Sequence, residues 1–176
     1  MNIAKVRSLR NVRRFNFEFC NHYQSVAEHS FFVALLAHQI AKIVGVSSWH
    51  AMEAGLFHDL AESVTGDIPF LVRRSLDPVA LATLDHKAEI ELGVDLSYPR
   101  DILEVVSYAD ALDCAIYLKE ERESGNTTLL DIEKETLGRL KRKIGNKWAP
   151  EWVFAAKLLG VKCNVETKGI TNELKH

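Results

Sequence analysis

Cysteine is scarce in this chain, and what there is lies scattered. Cys20, Cys114 and Cys163 are the three cysteines among 176 residues, far apart and with no CxxC pair. An odd, dispersed set cannot form a complete disulfide framework, and a reducing cytoplasmic setting is the simplest expectation. Long hydrophobic runs are also missing. The most apolar stretch, Phe31 to Ile43, is broken by His38, Gln39 and Lys42. It is too short and too polar to span a bilayer, and no apolar run follows the basic N-terminus as in a signal peptide. A strong charge of one sign is absent too. The formal net charge is −2, so bulk attraction to nucleic acid is not expected. Lys5, Arg7, Arg10, Arg13 and Arg14 crowd the N-terminus without an acidic residue among them. Most of these read as a solvated basic face, with a phosphate contact open for one or two. Repeats, low-complexity segments and linkers are lacking as well.

What is present is helical periodicity in an ordinary globular composition, 47% hydrophobic and 26% charged. Phe32, Val33, Leu36, Ile40 and Val44 recur at helical steps from His29 onward, and Gly45 supplies a stop. Ser47 and Ser48 cap a second helix that should run through His58 and Asp59 to about Thr65, before Pro69 punctuates a loop. Asp77-Pro78 predicts a third helix from about Pro78 to Leu92. Pro99 opens a fourth, striped by Ile102, Val105, Val106, Ala109, Leu112 and Ile116, with a break at Gly125-Asn126. A fifth spans about Leu129 to Ile144, and a sixth runs from Pro150 to Leu159, its start packed by Trp148 and Trp152. Val161 to Val165 reads as a short extended piece, and residues from about 160 to 176 as a polar tail. The expectation is one compact all-α domain over 1–176.

The chemistry is concentrated in GLFHDLAESVTGDIP. His58 and Asp59 offer an imidazole nitrogen and a carboxylate oxygen side by side, a donor set suited to a divalent metal that activates water. Glu62 follows one helical turn later, where a general acid or base beside such water would sit. Two further ligands must come from elsewhere. His29, in SVAEHS, is one candidate, although a lone histidine at a helix start is as often a capping or core residue. Asp110, in VVSYADALD, is the other, since a carboxylate beside an apolar stripe is costly unless paired. Asp113, one turn on, competes with it, and periodicity does not separate the two.

The order H…HD…D, with SVAEHS, FHDLAESVTGDIP and YADALD around its members, resembles the HD-domain phosphohydrolases. Within them it is most similar to the YfbR-like 5′-deoxynucleotidases and the phage dATP triphosphohydrolases of the DatZ type. The resemblance runs from about Arg10 to Asn126 and implies an HD-domain helical bundle with a metal site between helices. It implies His29, His58, Asp59 and Asp110 as metal ligands, favouring Asp110 over Asp113. It implies Glu62 as the catalytic carboxylate, with Asp67 of TGDIP helping to organise the site. Arg14 matches a phosphate-binding arginine, and Phe15 stands where the family carries an aromatic, commonly Trp, that excludes a 2′-hydroxyl. Arg73 falls where the family has a lysine.

Two departures bear on specificity. Ser107 occupies a position where the family often has a phosphate-binding lysine, and Phe15 replaces Trp. The spacing from His29 to Asp110 is also shorter than in the bacterial nucleotidases and closer to the phage group. The resemblance thus implies a metal-dependent phosphohydrolase of 5′-deoxynucleotides, leaning to dATP cleaved to deoxyadenosine and triphosphate. Hydrolysis of dNMPs to deoxynucleoside and phosphate is the alternative. Mn, Co, Zn, Fe or Ni would occupy the HD site, with Mg joining through substrate phosphates. A deoxynucleotide and further copies of the chain are the implied partners, with no nucleic acid and no membrane. A non-catalytic nucleotide-binding module is the reading from another class; Glu62 counts against it, since a sensor needs no carboxylate beside metal-bound water.

Overall fold

In the computed structural model, which describes residues 1–144 and 149–160, the elements are helices throughout. Their order is α1 (Ile3–Val6), a 3-10 turn (Arg7–Asn11), α2 (Val26–Val44), α3 (Ser48–Phe57), α4 (Glu62–Thr65), α5 (Phe70–Ser75), α6 (Pro78–Leu92), α7 (Arg100–Glu123), α8 (Leu130–Ile144) and α9 (Ala149–Leu159). Among the described residues the only β pairing is an isolated bridge between Arg13 and Ser25. The expected extended piece Val161–Val165, the tail and Trp148 lie outside the described residues, as does the Trp152 side chain.

The centre is built by α2, α3 and α7, with α8 and α9 closing over α7. Val33, Ala37, Ile40 and Ala41 of α2 interlock with Ala51 and Ala54 of α3 and with Ile102, Val105, Ala109 and Leu112 of α7. The small residues allow close approach. Gly55 is the sharpest case: a Cβ there would stand 3.0 Å from the Ala34 Cα and 3.2 Å from the Val33 carbonyl oxygen. Without a side chain at Gly55, the end of α3 lies directly on α2.

Local signals explain the helix limits. Ser25 and Glu28 form a reciprocal capping box that starts α2 at Val26, three residues ahead of the expected His29. Gly45 ends it in the left-handed region, as expected. Asp77 caps α6 through the Val79 N–H, Pro78 is its first residue and Gly93 its left-handed stop. Three expectations are corrected. Phe32 points to solvent at 48% exposure, because the buried face of α2 runs through Val26, His29, Val33, Ala37 and Ile40. The segment after Pro69 is not a plain loop but contains α5.

The third correction concerns the helix expected to run to Thr65. It stops at Phe57 and tightens, with i+3 hydrogen bonds from Leu60 N–H to Phe57, Glu62 N–H to Asp59 and Ser63 N–H to Leu60. In such a turn residues three apart eclipse one another. Asp59 and Glu62 are therefore stacked on one edge rather than staggered around a cylinder.

Candidate metal centre

Three chain segments meet at one end of the α2–α3–α7 core. His29 comes from the first turn of α2, where the capping box holds the backbone, and is fully buried. His58 and Asp59 sit just past α3, brought against α2 by the close contact at Gly55. Asp110 and Asp113 come from one face of α7. One donor atom each from His29, His58 and Asp59 lie within 4.8 Å of one another, close enough to share one ion. Asp110 Oδ1 joins them 3.3 Å from His29 Nε2.

The far side of each ring fixes which nitrogen faces the cluster. His58 Nδ1 lies 2.8 Å from the Gly55 carbonyl oxygen, a group that only accepts, so Nδ1 carries the proton. His29 Nδ1 lies 2.6 Å from Asp113 Oδ2, and the buried carboxylate imposes the same tautomer. Arg14 Nη1 is also 2.7 Å from that nitrogen; with two cationic or protonated groups competing for Asp113, we take the proton on Nδ1 to go to the carboxylate. Nε2 of both rings is buried and makes no hydrogen bond. Carboxylate oxygens face them, Asp59 Oδ2 at 3.1 Å from His58 and Asp110 Oδ1 at 3.3 Å from His29. Neutral lone pairs facing carboxylates at such distances repel them, so a proton or a metal cation must lie between. The donor set, two imidazoles and two carboxylates, fits a divalent metal.

The electrostatics agree. Burial alone would lower the His58 pKa, but Asp59 and Asp110 outweigh it and raise it to about 9. Burial acts against Asp110 in turn, yet His29, His58 and Arg14 hold it below the usual carboxylate range. Glu62 is buried, and burial together with the charges of Asp59 and Asp67 pushes it up to about 9. Asp67 is raised chiefly by burial. The site thus holds more carboxylate charge than its own cations neutralise. Its open side is the carboxylate side: Asp59 and Asp110 keep 26% and 35% of their side chains exposed, while His29 keeps none.

Arg14 reaches the cluster from the segment before α2. Its guanidinium donates from Nη1 to Gln24 Oε1 at 2.9 Å, and Nη2 stands 3.8 Å from Asp110 Oδ1. Gln24 Nε2 donates onward to Asp113 Oδ2 at 3.1 Å, so a hydrogen-bonded chain joins Arg14 to His29. Phe15 lies beneath Arg14 and stacks on Tyr117, ring centroids 5.2 Å apart. Its backbone is left-handed, φ 52°, an outlier for an aromatic residue. The turn is clasped to TGDIP by the Phe15 N–H on the Asp67 carboxylate and by Asn16 Nδ2 on the Asp67 carbonyl oxygen.

The structure therefore brings His29, His58, Asp59, Asp110, Glu62, Asp67, Arg14 and Phe15 together. Arg73 is not drawn in: it lies on α5 with its guanidinium on Asp85 of α6, 3.2 Å away. Asp110 and Asp113 separate by direction, one to the Nε2 side of His29 and the other to its Nδ1 side. Gln24 and Gly55 were not foreseen. Nothing in the local pattern marks Gln24, whereas a glycine three residues before a candidate ligand was a readable sign of helix contact.

The comparisons with known proteins point the same way. The family described as 5′-deoxynucleotidase YfbR-like matches residues 2–92. The chain is 20% identical to the cyanophage S-2L HD phosphohydrolase DatZ, solved bound to dA and one catalytic Zn2+ ion, with 91% of this chain and 97% of that chain covered and a TM-score of 0.72. It is 21% identical to the PH0347 protein of Pyrococcus horikoshii OT3, covering 92% and 98% at a TM-score of 0.73. An HD-domain phosphohydrolase of Listeria innocua, lin2634, is 21% identical over 89% of this chain and 82% of that one, TM-score 0.60. No curated protein matches the chain. Fold and site define a metal-dependent phosphohydrolase of the HD-domain class. Within that class the chain belongs to the YfbR-like 5′-deoxynucleotidase family. The family match ends before α7, so the place of Asp110 rests on the geometry described above. No described helix is long and apolar enough to cross a membrane.

Proposed function

We propose that the chain hydrolyses the bond between O5′ and the α-phosphorus of a 5′-deoxynucleotide, with a divalent metal held by His29, His58, Asp59 and Asp110. The observation that carries this is the pair of buried, hydrogen-bond-free Nε2 atoms facing Asp59 and Asp110, with Glu62 on the same edge. A metal bound there supplies Lewis acidity, polarising a phosphate oxygen and acidifying water. Everything else falls to the chain. Asp113 and the Gly55 carbonyl hold the two imidazoles in the ligating tautomer. Glu62, whose carboxyl is pushed up to about 9 by burial and by the charges of Asp59 and Asp67, exchanges a proton with the attacking water or the departing O5′. Arg14 pairs with the phosphate, and Gln24 keeps its guanidinium in place. Phe15, its faces covered by Arg14 and Tyr117, offers its ring edge to C2′, leaving no partner for a ribose hydroxyl. Asp67 anchors the turn that carries Phe15.

Both substrate readings break the same bond and release a deoxynucleoside. We favour dATP, leaving triphosphate, because of the short His29–Asp110 spacing and the likeness to DatZ over nearly its whole length. The preference for adenine rests on that likeness alone. A dNMP substrate is favoured by one observation: Arg73 is turned onto Asp85, so Arg14 is the cation the described site presents. Incubating metal-loaded protein with dATP and with dAMP decides between them. Deoxyadenosine with intact triphosphate from dATP supports the first. Deoxyadenosine and orthophosphate from dAMP alone supports the second, and no deoxynucleoside from any dNTP or dNMP rejects both.

A further inference from the structure

The loop from Arg14 to Gln24 is closed at its base and fastened again at its tip. At the base the Arg14 N–H donates to the Gln24 carbonyl oxygen at 3.0 Å, beside the bridge between Arg13 and Ser25. The tip lies on the C-terminal end of α7, where a buried carboxylate receives it. Glu121 is 1% exposed; its Oε2 accepts from the Asn21 N–H and its Oε1 from the His22 N–H, each at 2.7 Å. Asn126 Nδ2 bridges Glu121 Oε2 at 2.7 Å and the Phe19 carbonyl oxygen at 2.8 Å. The Tyr117 hydroxyl donates to the His22 carbonyl oxygen at 2.6 Å, and Cys20 is buried in one cluster with Tyr117, Leu118 and Leu129. Outside these fastenings the loop is bare, with Phe17 and Phe19 80% and 70% exposed.

Burial alone would raise the Glu121 pKa, but the hydrogen bonds from Asn126, Asn21 and His22 outweigh it and hold it below the usual carboxylate range. A charged acceptor holds backbone N–H groups more strongly than a neutral one. The bearing of this anchor on the site comes through α7. Asp110, Asp113, Tyr117 and Glu121 succeed one another at helical steps along one face of that helix. The ring of Tyr117, whose hydroxyl clasps the tip, is the ring on which Phe15 stacks. Phe15 also has the left-handed backbone that a bulky residue keeps only where its surroundings impose it. One rigid helix face thus carries a candidate metal ligand at one end and the loop anchor at the other. We propose that Glu121 is a positioning residue for sugar choice: by fixing the tip of the loop on α7 it sets the ring edge of Phe15 at a constant distance from the metal site. Glu121 acts through the loop and touches no substrate. The inference rests on the reading of Phe15 as the wall at C2′.

The test uses the full chain loaded with zinc. The parent protein, Glu121→Ala, Glu121→Gln, Phe15→Ala and the Phe15→Ala, Glu121→Ala double variant are compared on dATP against ATP and on dAMP against AMP. Glu121→Ala leaves two backbone N–H groups without their acceptor. The deoxy-to-ribo ratio of kcat/KM should fall about tenfold, chiefly through KM, with zinc content unchanged and kcat on the deoxynucleotide within about threefold of the parent. Glu121→Gln is nearly isosteric but turns an amide N–H group against a donor. It should lower the ratio in the same direction by less, and it keeps the test valid if the alanine variant fails to fold. In the Phe15→Ala background, Glu121→Ala should change the ratio no further. Chymotrypsin reads the loop itself: cleavage after Phe17 or Phe19 should speed up about tenfold in Glu121→Ala. The parent's ratio retained in both Glu121 variants overturns the proposal. So does a loss of ratio that persists in full without Phe15, a loss of zinc in Glu121→Gln, or an unchanged rate of cleavage in the loop. A parent protein with no preference for deoxynucleotides removes the role of Phe15 and this inference with it, whereas a preference intact in both Glu121 variants removes the inference alone.

Discussion

The floor and the rim of the candidate site are built differently. The floor is made of long helices pressed together at Gly55 and Ala34, with His29 wholly buried and Asp113 nearly so. Each imidazole is held from behind by a short hydrogen bond. The rim is made of the turn carrying Arg14 and Phe15 and of the TGDIP segment, where Asp67 is half-buried. Chemistry needs donor atoms fixed to a fraction of an ångström, which packed helices supply. Substrate choice tolerates movement and is placed on loops. Damage to the floor should abolish the reaction, whereas damage to the rim should redirect it.

The largest effect belongs to the floor. His58→Ala removes a proposed ligand and leaves Asp59 facing empty space. Metal content by atomic absorption should fall to background, activity should vanish, and the thermal midpoint should lose its dependence on added zinc. Next is Glu62→Gln, which keeps the shape of the edge. Metal should stay bound while kcat drops by roughly 10²–10⁴, the usual contribution of a positioned acid or base. A rate within a few-fold of the parent would make Glu62 structural.

Asp113→Asn tests the back of the floor rather than its face. The amide cannot hold the Nδ1 proton as a carboxylate does, so zinc affinity should fall about 10–100-fold with the fold retained. If Asp113 were itself the ligand in place of Asp110, the loss would match that of Asp110→Ala. The metal-free floor also has a pH signature. His58 and Glu62 both bind a proton more tightly folded than unfolded, with folded values of about 9. Stability from the first is fully present below its ordinary value and is lost as pH rises through about 9. The buried Glu62 costs progressively more over the same rise. Metal-stripped protein should therefore melt at lower temperature at pH 9 than at pH 6, and zinc should cancel or reverse the trend.

The smallest effect belongs to the rim. Phe15→Ala opens space at the sugar edge and should narrow the preference for dATP over ATP, or dAMP over AMP. The gap at stake is the ~1–3 kcal/mol of an unpaired buried hydroxyl. Metal content should not change. Equal rates on deoxy and ribo substrates by the parent protein would remove Phe15 from this role.

The same division governs how much could be read from sequence. Cap residues and stripes acting within one helix were legible: Asp77, Pro78 and Gly93 delimit α6, and Ile102 to Leu112 mark the buried face of α7. Two of the candidate floor ligands, His58 and Asp59, stand side by side in one local motif. What failed depends on contact between segments. Asp110 and Asp113 lie one turn apart on one face and differ only in which side of His29 they meet. Phe32 fits the period of the buried stripe, and only the packing of α3 and α7 turns it outward. The tightened turn at His58–Ala61 follows from bringing Asp59 and Glu62 onto one edge, which no propensity encodes. Gln24 acquires its role through partners on two other segments.

The central claim is that one cation is shared by the Nε2 atoms of His29 and His58 with Asp59 and Asp110. Anomalous diffraction at the zinc edge from crystals of zinc-loaded protein tests it directly. The account predicts one strong peak at bonding distance, ~2.0–2.2 Å, from both Nε2 atoms and from Asp59 and Asp110 oxygens, with Asp113 still on His29 Nδ1. A peak bound through Nδ1 or Asp113, or zinc held away from the two histidines, would contradict it.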